Sequence, residues 1–159
     1  MNKAHLLLAG RIRDELSEIS QTVIRVQIAW KRAEQTGDDF YLDSVALNLH
    51  SFYTGLEKIF ELIAATVDQY KPEGENWHQA LLRQMSAEIK LVRPPVLSMG
   101  TRDSLDEYRG FRHVVINVYT FHLSLPKLTG LVENLPIIFG RLRSEVDDFL
   151  SFLEARGQN

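Results

Sequence analysis

Apolar residues recur along this chain at spacings of three and four, over stretches too long for strands. In residues 3 to 36, Leu8, Ile12, Leu16, Ile19, Val23, Val26 and Trp30 form one stripe that no proline interrupts. The spacing predicts a single long helix with one buried face. Gly37-Asp38-Asp39 stops it, and an aspartate there suits the cap of the next helix. A second helix is predicted from about residue 40 to 70 on Val45, Leu49, Phe52, Leu56, Ile59, Phe60, Ile63 and Val67, and Lys71-Pro72-Glu73-Gly74 ends it. Asn76 followed by Gln79 reads as a capping box, opening a third helix that carries Leu81, Leu82, Met85, Ile89 and Leu91.

The adjacent prolines of Arg93-Pro94-Pro95-Val96-Leu97-Ser98 forbid a helix. The segment is too apolar for a disordered linker and is expected to pack against the bundle. Ser104 and Glu107 form a second capping box before a fourth helix, which fades near residues 120 to 123. Ser124-Leu-Pro126 then starts the last helix, lined by Leu128, Leu131, Leu135, Ile138, Leu142, Val146, Phe149, Leu150 and Leu153. Pro136 falls inside it and is expected to kink or restart it. No alternating strand pattern and no repeat is present. The expectation is an all-α fold, an antiparallel bundle of four to five helices forming one domain over residues 1–159.

Composition narrows the function. The 45% hydrophobic and 25% charged fractions are those of an ordinary globular chain. The net charge of −3 argues against nucleic-acid binding by bulk attraction, while leaving room for a local basic site. Cysteine is absent, so disulfide and thiolate chemistry are excluded. The N-terminal apolar run is too short for a signal peptide, and no segment has the apolar length of a membrane span. A cytoplasmic protein with no membrane association is therefore expected. No His-Glu-x-x-His spacing or other metal signature occurs, and no glycine-rich phosphate loop, so neither a metal nor a cofactor is expected.

Candidate chemistry gathers in one stretch, residues 108–119. At about 100° per residue, Arg112, Tyr119, Ile116, Arg109, His113 and Asn117 fall within an arc of about 160°, while Phe111, Val114, Val115 and Val118 share the opposite side. Two guanidinium groups, an imidazole, an amide and a phenol thus share one face. In isolation the arginines are ordinary solvated charges, with Asp103 and Glu107 at helical spacing to pair with them. His50 and Glu57, seven residues apart, are able to share a helix face. Glu57 and Glu61 are expected either to flank Lys58 on a solvated face or to reach toward the arginines.

Arg112-His113-x-x-x-Asn117-x-Tyr119 resembles the signature of the HEPN domains, in particular the HepT-like toxins: arginine, a polar residue, three variable residues, histidine, one residue, tyrosine. Phe52-Tyr-Thr-Gly-Leu-Glu-Lys-Ile-Phe-Glu-Leu-Ile-Ala64, Trp77-His78, Arg93-Pro-Pro-Val-Leu-Ser98 and Tyr119-Thr-Phe-His-Leu123 also look like one HepT-like subgroup. The similarity spans roughly residues 40 to 135.

The resemblance implies a helical homodimer whose cleft, where two motif copies meet, cleaves RNA without metal. It also implies a nucleotidyltransferase-like antitoxin as partner, which in some pairs silences the toxin by adding AMP to the motif tyrosine, here Tyr119. Arg112, His113 and Asn117 occupy the catalytic positions, and Arg109 and Arg112 are placed to bind the RNA phosphate. One position departs from the family: Asn117 stands where the histidine is expected. Histidine exchanges protons near neutral pH and asparagine does not. Three readings follow: a nuclease that uses His113, a weak nuclease, or a degenerate module that keeps the fold and binds the antitoxin or RNA without cleaving.

Overall fold

The computed structural model describes residues 2–117 and 125–159, without the side chains of residues 116 and 117. Five helices carry them: α1 (Lys3–Thr36), α2 (Phe40–Ile63), α3 (Trp77–Met85), α4 (Met99–Asn117) and α5 (Leu125–Gln158). No strand occurs among the described residues, and the antiparallel all-α bundle is the fold expected from the periodicity. No helix among them is long and apolar enough to cross a membrane. Helix α1 packs on α2 and α5, and α2 also touches α3 and α4.

Every residue of the α1 and α5 stripes named above is buried, as is the α2 stripe except for the half-buried Val67. The turn between α1 and α2 is tight because Gly37 adopts φ 69° and returns its N–H to Ala33 O at 2.9 Å. Asp39 makes no capping bond; Asp38 does, accepting from Phe40 N–H at 3.0 Å. Where α1 crosses α2, a Cβ at Gly55 would come within 2.8 Å of Ile19 Cγ1, so only glycine permits this approach.

Helix α5 does not restart at Pro136 but continues as one helix through the proline. Proline offers no N–H to the carbonyl four residues back, which is Val132. Gln27 of α1 supplies the missing donor, its Nε2–H reaching Val132 O at 3.2 Å. One turn of α5 is thereby tied across the bundle to α1. Replacing Gln27 with alanine is expected to lower stability by about 1 kcal/mol in urea unfolding, and Gln27→Ala combined with Pro136→Ala should recover most of it.

The third helix is shorter than expected. It stops at Met85, and Ile89 and Leu91 lie outside it, Leu91 being 98% exposed. Residues 86–98 turn back instead: Val96 and Leu97 are buried and their N–H groups both reach Met85 O. Arg93 organises this return. Its guanidinium is fully buried and places Nε and Nη2 on the two carboxylate oxygens of Asp68 at 2.6 and 2.8 Å. The remaining N–H groups reach Ala87 O, Pro94 O and Gln84 O, so all five donors of the arginine are used. Asp68 ends a π-helical turn, Ala64–Asp68, that widens the last turn of α2. This is the end of α2 against which α3 is fixed.

Helix α4 also begins earlier than the Ser104 capping box implies. It starts at Met99, where Ser98 Oγ accepts from Thr101 N–H at 3.2 Å. Glu145 of α5 accepts from Ser98 N–H and Thr101 Oγ at 2.6 and 2.5 Å, a carboxylate at the positive end of the helix. Leu105, Tyr108 and Phe111 face the core, and Tyr108 donates its hydroxyl to Leu131 O at 2.6 Å. The burial pushes that phenol's pKa up. This anchoring turns the opposite face of α4 toward α3.

Candidate functional site

The polar face of α4 opens onto the start of α3. Between them lies a cleft of about 470 Å3 lined by Glu75, Asn76, His78, Gln79, Arg109, Arg112 and His113. Three residues singled out by the face arithmetic, Arg109, Arg112 and His113, therefore gather in one cavity. Asn117 is the last described residue of α4, but its side chain lies outside the described residues, as do Tyr119 and His122 altogether. Asn76 does not form the expected capping box; its backbone is not capping-like and its side chain accepts nothing from α3. It lines the cleft instead.

Arg109 pairs with Asp106 one turn earlier, at 2.6 Å. Asp103 pairs with Arg102 at 3.1 Å. Among the described residues, neither Asp103 nor Glu107 forms an ion pair with Arg109 or Arg112, contrary to the pairing that their helical spacing suggests. Arg112 makes no carboxylate ion pair among the described residues. Its Nη1 sits 3.4 and 3.3 Å from Nδ1 and Nε2 of His78. Near-equal reach to both ring nitrogens places the guanidinium over the imidazole, not in line with either lone pair. The same ring stacks on Trp77, at 3.6 Å between centroids and 29° between planes.

Beneath the ring lies a residue that the spacing alone did not place. Glu57 is 4% exposed in the heart of the α2 stripe, and its Oε2 is 2.5 Å from His78 Nδ1. It neither flanks Lys58 on a solvated face nor forms an ion pair with a motif arginine. A sequence signal existed: Glu57 follows Leu56 within the run of Phe52, Tyr53, Leu56 and Phe60, and a carboxylate inside a buried stripe demands a partner.

Around Glu57, α2 presents further polar groups at i, i+3, i+4 and i+7: His50, Tyr53, Thr54 and Glu57 share one face. His50 Nε2, Tyr53 Oη, Thr54 Oγ1 and Arg112 Nε are buried without a hydrogen-bond partner among the described residues. Burial first, and then the charge of Arg112, lower the pKa of His50, against a smaller opposing pull from Glu57. Burial and the nearby Glu57 raise the pKa of the Tyr53 phenol. Among the described residues no three His, Asp or Glu side chains cluster as metal ligands would.

The site is thus a cleft carrying two arginines and two imidazoles, lined by the start of the third helix and the polar face of the fourth in an all-α bundle. A family model described as HepT-like protein matches residues 44–153. The chain belongs to this HepT-like family. No curated protein and no solved structure matches it.

Proposed function

We propose that this chain is the toxin component of a toxin–antitoxin pair, a HepT-like ribonuclease that cuts RNA without metal. Residues 1–159 form one HEPN/HepT-like domain, which works in the cytoplasm as a homodimer with the cleft at its interface. The observation that carries the reading is the gathering of Arg109, Arg112 and His113 in one cleft with His78. Guanidinium groups suit a phosphate and the extra negative charge it gains during cleavage. Arg112 and Arg109 hold the scissile phosphate, His113 exchanges protons, and Asn117 orients the substrate through its amide. The partner is a nucleotidyltransferase-like antitoxin, and Tyr119 is the residue it would modify with AMP.

Asn117 favours a second reading, a module that binds the antitoxin or RNA without cutting. Incubating the purified protein with single-stranded RNA in EDTA separates the two. Fragments ending in a 2′,3′-cyclic phosphate are expected. An inert wild type beside an active Asn117→His variant would establish the second reading.

A further inference from the structure

Resting on that ribonuclease reading, we infer that His78 and Glu57 form the proton-transfer dyad of the site and replace the histidine absent at position 117. Three observations carry it. The first is burial. A carboxylate taken out of water on a helix costs several kcal/mol unless it is paired, and leucine would pack this position as it does at Leu56. Glu57 instead meets Nδ1 of His78 at 2.5 Å, with its side chain 5% exposed against 25% for the imidazole.

The second is orientation. A carboxylate accepts, so Nδ1–H donates to Glu57, and Nε2 is left as the lone-pair nitrogen of the neutral ring. The ring is held by the stacked Trp77 indole and by the Arg112 guanidinium. A base held in one tautomer and one plane, beside a cation for the phosphate, is the arrangement that general-base catalysis requires.

The third is incompleteness. A polar cluster that served only packing would be closed, with its donors and acceptors satisfied. Here His50 Nε2 and Thr54 Oγ1 on the Glu57 face of α2, and Arg112 Nε, lack partners among the described residues, and the cleft reaches His78.

In the assigned step, the proton of the ribose 2′-hydroxyl passes to Nε2 of His78. The O2′–P bond forms and the P–O5′ bond breaks. The departing 5′-oxygen takes a proton from the imidazolium of His113 on the facing helix. Solvent exchange then returns both rings to their starting states. His78 is a catalytic residue in this scheme, and Glu57 is a positioning residue that acts through it.

The test is RNA cleavage in EDTA by the full chain, comparing wild type with His78→Gly and Glu57→Gln, each with and without added imidazole. His78→Gly is expected to lose about 100- to 10000-fold in kcat and to regain part of it with imidazole, which should leave wild type unchanged. Glu57→Gln is expected to lower kcat while KM holds. Wild-type rates in His78→Gly, or a folded, RNA-binding His78→Gly that imidazole does not restore, would overturn the assignment while leaving the ribonuclease reading in place. A wild type that never cuts would overturn both.

Discussion

Replacing Arg93 with methionine is expected to destabilise the protein by about 3–5 kcal/mol, the cost of leaving a buried charge without its partner. The stranded group is Asp68, whose carboxylate loses both guanidinium bonds and keeps, among the described residues, the amide of Gln84 at 2.8 Å. Three backbone carbonyls, Gln84 O, Ala87 O and Pro94 O, lose their donor at the same time. Arg93→Lys should recover little, because three donors on a flexible stem do not reproduce a five-donor planar fork. Replacing both members with apolar residues of similar volume should restore much of the loss, since a buried pair contributes far less than either half costs alone. The readout is urea unfolding of the two single variants and the double variant. A loss below about 1 kcal/mol in Arg93→Met would mean that residues 86–98 are not held as described. Function should follow stability here, because the same knot fixes the end of α2 against which α3 and His78 sit.

Arg112→Ala is expected to reduce RNA cleavage by about 100- to 1000-fold, the usual effect of removing one preorganised donor to a developing charge. Its effect on folding should be small by comparison, since the side chain is only half-buried and forms no carboxylate ion pair among the described residues. Arg112→Lys keeps the charge but loses the planar group that lies over His78, so it should retain only part of the rate. Arg109→Ala should cost less, because Arg109 already shares its charge with Asp106. Steady-state cleavage of a labelled RNA checks the order. Equal losses at the two arginines would contradict the distinction between them.

The helices were readable because long amphipathic stripes have one physical solution. Leu8 to Trp30 and Leu128 to Leu153 bury as their spacing requires. The errors fall where tertiary contacts override local signals. Ile89 and Leu91 continue the α3 pattern in sequence, yet the Arg93–Asp68 pair and the prolines turn the chain back. Ser104 and Glu107 look like a helix start, but Ser98 and Glu145 cap α4 six residues earlier. Pro136 breaks no helix, because a side chain from α1 occupies the carbonyl it leaves. In the cleft, the residue angles alone gather Arg109, Arg112 and His113 on the polar face of α4. His78 and Glu57 lie 21 residues apart on different helices. Their pairing depends on how α3 folds back over α2, which no local spacing encodes.

The most direct measurement compares a single-stranded RNA with the same RNA carrying 2′-O-methyl groups, both incubated with the purified protein in EDTA. Cleavage that attacks phosphorus with the 2′-hydroxyl needs that hydroxyl free and needs no metal. The expected result is cutting of the unmodified strand alone, leaving 2′,3′-cyclic phosphate ends. Equal cutting of both strands, or a folded protein that cuts neither, would contradict a ribonuclease site at Arg112 and its neighbours.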